Sequence, residues 1–181
     1  VKYDIRLATR ADIPAIEEVM RRSLEVIGRT AYDTQQVASA TRHTARVDAQ
    51  MIDDGTYFVA VIDDRIIGCG GWSRRAKLFR GSADQEADAQ LRLLDPATEA
   101  ARVRAMFVDP ELARRGIGRR ILETAENAAR AEGFTKTVLL AMLSGEVMYT
   151  ACGYVAIEPM AFETPEGVTL GATLMEKLLS H

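Results

Sequence analysis

Val108-Asp109-Pro110-Glu111-Leu112-Ala113-Arg114-Arg115-Gly116-Ile117-Gly118-Arg119-Arg120-Ile121 is the stretch from which the fold is read. A strand-like run ends at the proline, a loop follows, and Gly-x-Gly opens a long helix. Glycines at such a junction let the backbone approach a ligand and aim successive N–H groups at one point. The helix N-terminus adds partial positive charge, so the place suits a phosphate. Arg114, Arg115, Arg119 and Arg120 crowd this same turn, where the helix dipole disfavours cations. A bound anion resolves that conflict between local rule and sequence, the mark of a functional site. The plainer alternative is a solvated basic helix start after a tight turn.

Two phosphate-binding patterns fail here. The P-loop GxxxxGK[ST] is absent, because Arg119-Arg120 stand where Lys and Ser/Thr belong. A dinucleotide fingerprint needs a third glycine where Ile121 stands and an acidic residue ending the next strand. Phe134–Leu143 contains none.

Outward from this stretch the chain alternates strands and helices. Asp4–Leu7 reads as a short strand. Thr9 and Asp12 offer N-cap chemistry before Ile13, Ile16, Val19 and Met20, a helical stripe. A weaker helical pattern covers Thr34 to Met51. Thr56–Ile62 and Arg65–Ser73 read as strands joined by a hairpin turn at Asp63-Asp64. Ala101–Val108 is a strand stopped by Asp109-Pro110. Ile117–Glu132 is the clearest helix, with Ile121, Leu122, Ala125 and Ala129 inward and Gly133 as its stop. Thr137–Leu143 alternates little, the pattern of a strand covered on both faces. A short helix Glu146–Ala151 ends at Cys152-Gly153, and strands near Tyr154–Glu158 and Val168–Leu174 follow. This order predicts one layered α/β (α+β) domain over residues 1–181. One stretch, about 74–100, is polar and turn-rich, with Gly81-Ser82-Ala83-Asp84-Gln85-Glu86 and Asp95-Pro96. A connection this long is either a lid or acceptor-binding loop or a passive insertion.

Composition narrows the classes. With 181 residues, 48% hydrophobic and 27% charged, the chain suits one globular domain and is not disordered as a whole. Its net charge of −3 lacks the basic bias of a nucleic-acid binder, so no nucleic-acid partner is expected. No apolar run approaches the ~18 residues of a membrane span. The alternation at Val1–Arg6 suits neither a signal peptide nor an anchor. Cys69 and Cys152 stand apart and read as free thiols of a reducing compartment. His43 and His181 are too few for a metal site. Cytoplasm is the default location, no repeat is visible, and among assemblies a homodimer is the commonest.

The strand, Val-Asp-Pro, and Arg-Arg-Gly-Ile-Gly-Arg opening a helix resemble the acetyl-CoA loop of GNAT-type N-acetyltransferases. Met148-Tyr149-Thr150-Ala151-Cys152-Gly153-Tyr154 resembles that family's second signature, a tyrosine four residues ahead of the glycine that precedes an aromatic. Two positions depart from the pattern. Ala113 stands where the family usually has Gln or Arg, and Ser144-Gly145 where it often has Asn before the tyrosine.

The resemblance implies a single-domain fold with a central mixed, mostly antiparallel sheet flanked by helices. It implies transfer of an acetyl group from acetyl-CoA to an amine of a small molecule or peptide, by direct attack, without a metal or membrane. Met106, Phe107 and Val108 would end the strand whose backbone pairs with the pantetheine amides. A backbone N–H there would face the thioester oxygen. Arg114, Arg115, Gly116, Ile117, Gly118 and Arg119 would hold the pyrophosphate. Tyr149 would be the general acid, since a phenol near pKa ~10 can donate to a thiolate whose thiol is near ~8.5.

A free alkyl amine near pKa ~10.4 is neutral in only about one molecule in 2,500 at pH 7, a handicap of ~4.6 kcal/mol. Glu99, just before the strand Ala101–Val108, is the nearest acidic candidate for a base. Trp72, after Gly70-Gly71, either lines an acceptor pocket or packs in the core. Two other readings stand beside the leading one. Cys152, three residues from Tyr149 on one helix face, would serve as an acylated nucleophile. A non-catalytic acyl-CoA-binding or regulatory domain would keep the loop without an acceptor. The acceptor's identity is not written in the fold.

Overall fold

Asp63 and Asp64 both take left-handed backbone, with φ of 45° and 65°, the turn whose twist matches paired strands. They join β2 (Tyr57–Ile62) to β3 (Arg65–Ser73), as the turn chemistry predicts. The structure, a computed structural model, describes residues 1–78 and 92–180. β1 (Asp4–Leu7) pairs with β2, and β4 (Ala101–Val108) with β3, both antiparallel. β5 (Lys136–Met142) lies parallel to β4, and β7 (Thr169–Leu178) and β6 (Val155–Glu163) extend the sheet antiparallel. The seven strands take the order β1-β2-β3-β4-β5-β7-β6. The sheet is mixed and mostly antiparallel, as expected.

Helices cover both faces. On one side α1 (Ile13–Val26) sets Ile16, Val19, Met20 and Leu24 against Tyr57, Val59 and Cys69. α2 (Thr34–Thr44) and α3 (Ala49–Asp53) add Val37, Ala40 and Met51 to that core. On the other side lies α4 (Ile117–Ala131), whose Ile121, Leu122, Ala125 and Ala129 are all buried. Each fully buried leucine or isoleucine contributes about 1.5–3 kcal/mol. Small residues on β3 let α4 approach. A Cβ on Gly68 would stand 3.0 Å from Ile121 Cδ1, and one on Gly70 would collide with Met106. This close seating puts the N-terminus of α4 beside the end of β4. Among the described residues no helix is long and apolar enough to cross a membrane.

The structure corrects three expectations and decides a fourth that the sequence left open. The helical pattern at Thr34–Met51 is two helices: Asp33 and Gln36 cap α2 reciprocally at 2.8 and 2.9 Å, and the chain leaves the helix at Ala45. Asp48 then caps α3 by accepting from Gln50 N at 3.1 Å, and takes the Arg104 guanidinium at 2.9 Å. That buried ion pair outweighs a weak local pattern. β6 and β7 run further than expected, because β6 is an edge strand and an edge tolerates Pro159. β5 alternates: Thr137, Leu139 and Ala141 are buried, while Val138, Leu140 and Met142 are half-buried. Of the two readings of Trp72, packing holds: it stands edge-on to Phe134 at 5.7 Å in the core. In the polar connection, Arg75 and Leu93 form an antiparallel bridge at its base, and Gly81–Glu86 lies outside the described residues.

Candidate active site

The parallel ladder between β4 and β5 holds only at Ala101–Thr137 and Arg102–Val138. Past that point Ala105 has φ of +54°, and the β3–β4 register shifts between Cys69 and Gly71. This is a β-bulge, and a bulged strand bends. Left-handed backbone costs a residue with a Cβ about 1–2 kcal/mol, so neighbours must hold it. The Tyr57 hydroxyl donates to Ala105 O at 2.8 Å, and the Cys69 thiol reaches the same oxygen at 3.9 Å. Between the diverging strands opens a cavity of about 510 Å³, walled by Val103 to Val108 on β4 and by Leu139, Leu140 and Met142 on β5. Leu140 and Met142 are half-buried because they face it.

One end of the cavity is the arginine loop. Arg114 and Gly116 have φ of 64° and 82°, and Gly116 caps α4. Such left-handed residues at a helix start turn successive N–H groups toward one concavity, an anion nest. Gly118 meets the opposite wall closely: a Cβ there would stand 2.8 Å from Met148 Sδ and 3.4 Å from Val108 Cγ2. Ala113, Arg114, Gly116, Ile117, Gly118 and Arg119 line the cavity, and Arg115 stands outside the lining. The Ile117 side chain is committed to the core with Ala60 and Ile67. Arg119 donates to Ala151 O at 3.1 Å, whereas exposed Arg114 and Arg115 form no ion pair among the described residues. Beneath the loop, buried Asp109 accepts from Glu111 N at 3.0 Å and from Arg22 at 2.8 Å, and also from Arg65. It ties the loop to α1 and β3.

Tyr149 comes from α5 (Glu146–Ala151) and lines the cavity with Ser144, Gly145 and Met148. Its ring stands edge-on to Tyr154 with centroids 5.8 Å apart. Burial, assisted by Cys152, pushes the phenol above its usual value. Gly145 leaves room for this ring, since a Cβ there would be 3.4 Å from it. Met106, Phe107 and Val108 also line the cavity, so the strand end, the loop and the tyrosine are brought together.

The far wall was not read from the sequence. It consists of Ser23, Leu24 and Ile27 of α1 with its following turn, Thr44 at the end of α2, Arg46 and Asp48 before α3, and Leu78, Arg104 and Phe162. The visible signal was Arg104, a charge inside an apolar strand. Burial alone would raise the Asp48 carboxyl; Arg104, the Gln50 N–H and Lys77 outweigh it and hold the group below its usual range.

Glu99 is not among the cavity residues. Both its oxygens accept from Arg92 at 2.9 Å, and it also accepts from Asp95 N at 3.1 Å. The Arg92 contact first, then the Asp95 N–H, hold this carboxyl at about 2. A carboxylate so strongly satisfied is a poor proton acceptor, and the expectation of a base at Glu99 is corrected. Cys152 lies in a separate depression with Arg119, Glu126 and Lys177.

The family model for the acetyltransferase (GNAT) domain matches residues 53–156. No curated protein sequence matches the chain. Solved structures share the fold at low identity. The GCN5-related N-acetyltransferase of Rhodopseudomonas palustris is 18% identical with a TM-score of 0.72, covering 99% of this chain and 97% of its own. The PaiA N-acetyltransferase of Thermoplasma acidophilum, solved with coenzyme A, is 16% identical with a TM-score of 0.69, covering 98% and 99%. YncA of Salmonella typhimurium, solved with its cofactor acetyl-CoA, is 17% identical with a TM-score of 0.63, covering 100% and 96%. A family model spanning more than half of the chain, on a fold shared end to end, places this protein among the GNAT acetyltransferases.

Proposed function

We propose that the protein is an acetyl-CoA-dependent N-acetyltransferase that passes the acetyl group directly to an amine of a small molecule or peptide. One observation carries this reading: a single cavity holds the anion nest at one end and the Tyr149 phenol in its wall. The residues present fit acetyl-CoA. The nest and Arg114 and Arg119 suit its pyrophosphate, and the β4 edge released from β5 suits the pantetheine amides. Gly118 keeps the passage between loop and α5 open.

Acetyl-CoA supplies an activated acyl thioester. Backbone N–H groups of the Met106–Val108 strand end orient the acyl carbonyl and favour charge developing on its oxygen. Tyr149 gives its proton to the departing sulfur and regains one from solvent. Its raised pKa keeps that proton in place across the physiological range. Cys152 lies outside the cavity, which favours direct attack over an acyl-enzyme.

The test is thermal unfolding with and without acetyl-CoA. A ligand at 100 times its Kd stabilises by about 2.7 kcal/mol, roughly 5–10 °C for a chain of this size. Gly118→Asp sets a carboxylate in the loop and should abolish that shift; exposed Arg114→Glu should weaken it without a folding cost. Equal shifts in all three proteins would place the anion site elsewhere. Intersecting initial-rate lines are expected, and parallel lines would restore Cys152 as a nucleophile.

A further inference from the structure

We propose that Asp109 is a positioning residue for the donor: its buried carboxylate holds the arginine loop in the shape that receives the acetyl-CoA pyrophosphate. This rests on the transferase reading and extends it to a side chain outside the cavity lining.

Asp109 is only 1% exposed, and a buried carboxylate is costly unless it is paired and hydrogen-bonded. Its partners come from three places. Arg22 of α1 donates to it at 2.8 Å, Arg65 at the start of β3 donates to the same oxygen, and the Glu111 N–H donates to the other at 3.0 Å. The backbone is held as well. Asp109 N donates to Ile67 O of β3 at 2.8 Å, and Leu112 N closes the turn on Asp109 O at 2.9 Å. Arg22 also reaches Glu111 with its second nitrogen at 3.1 Å. Helix α1, strand β3 and the start of the loop are thereby joined at one carboxylate.

The loop beyond this point needs such a support. Arg114 takes left-handed backbone at φ of 64°, unfavourable for a residue with a Cβ. Arg114, Arg115, Arg119 and Arg120 repel one another and the start of α4 while no anion is bound. The nest is strung between two fixed ends, Asp109 before it and the buried Ile117 after it. A site held in its bound shape loses less freedom when the ligand arrives. Charge and support here have opposite signs. By charge alone the Asp109 carboxylate opposes an anionic ligand, so removing it would tighten binding. As an anchor, its removal loosens the nest and weakens binding.

Calorimetric titration of the whole chain with acetyl-CoA separates these cases, with melting temperatures taken on the same preparations. In folded Asp109→Asn the Kd should rise about tenfold or more, the scale of a misplaced binding group. Arg22→Gln leaves Asp109 its bonds to Arg65 and the Glu111 N–H, and should raise the Kd about threefold or more. Arg21→Gln removes the same charge one residue away, from a side chain bound to Glu18 and Glu25, and should bind as the parent does. A merely structural Asp109 predicts a lower melting temperature with an unchanged Kd in the folded variant. That result, or tighter binding by Asp109→Asn, would overturn the proposal. So would equal Kd values in Arg22→Gln and Arg21→Gln, a comparison that decides the matter by itself should Asp109→Asn fail to fold. A parent that does not bind acetyl-CoA would overturn the donor reading, and this proposal with it.

Discussion

Tyr149 is buried, yet its ring reaches the cavity wall and its hydroxyl bonds to none of the described residues. A structural tyrosine in this core behaves differently: Tyr154, behind the Tyr149 ring, shares a 2.8 Å hydrogen bond with the Thr137 hydroxyl. Tyr149→Phe should therefore keep the ring packing and the melting temperature. Acetyl-CoA affinity should change little, because the hydroxyl meets sulfur chiefly as charge develops there. Turnover should fall by about 10²–10⁴. Melting temperature, cofactor affinity and kcat measured on the same preparations decide the matter. Near-parental kcat in the folded variant would remove Tyr149 from the mechanism.

β4 owes the cavity to one residue in an unfavourable conformation. Ala105 at φ +54° bends the strand away from β5, with the Tyr57 hydroxyl holding its carbonyl. A β-branched side chain does not sit there without strain. Ala105→Val is expected to cost about 1–3 kcal/mol, read as a lower urea midpoint at unchanged slope. Tyr57→Phe removes the restraint and should also lower stability, by about 0.5–1.5 kcal/mol for a hydrogen bond of this kind. Parental stability in both variants would show that the bulge is not strained.

Across the molecule several arginine-bonded carboxylates are held low and the buried tyrosines high. The Arg6 contact first, against burial, holds Asp12 at about 2, and Glu99 lies at about 2. Asp54, bonded by Arg75, is also below its usual value. A carboxyl whose folded value lies below the unfolded one contributes stability above the unfolded value, and loses it as pH falls through the folded one. Burial raises Tyr57, Tyr149 and Tyr154. Their contribution is complete below the unfolded value and is lost as pH climbs beyond it. Urea unfolding should therefore show a plateau from about pH 5 to 9, with stability falling below about pH 4 and above about pH 10. A steep change between pH 6 and 8 would contradict this balance.

Local chemistry made much of the fold legible from the sequence. Turn residues bound β3, β4 and α5, and each of these elements has the limit expected from Asp63-Asp64, Asp109-Pro110 or Cys152-Gly153. The arginine loop was legible for the same reason, since its glycines and helix start act within a few residues. The break between α2 and α3 was not, because it depends on Asp48 meeting Arg104 across 56 positions of chain. Nothing local marks Ala105 for left-handed backbone either; Tyr57 and Cys69, from β2 and β3, impose it. The open face of β5 and the far wall follow from that bend. Interactions between near neighbours are enough to write most of the elements, their order and the arginine loop at the start of α4 into the sequence. Where the strands part and which charges face the opening depend on side chains brought together from α1, the α2–α3 junction, β4 and β6, and so belong to the tertiary structure.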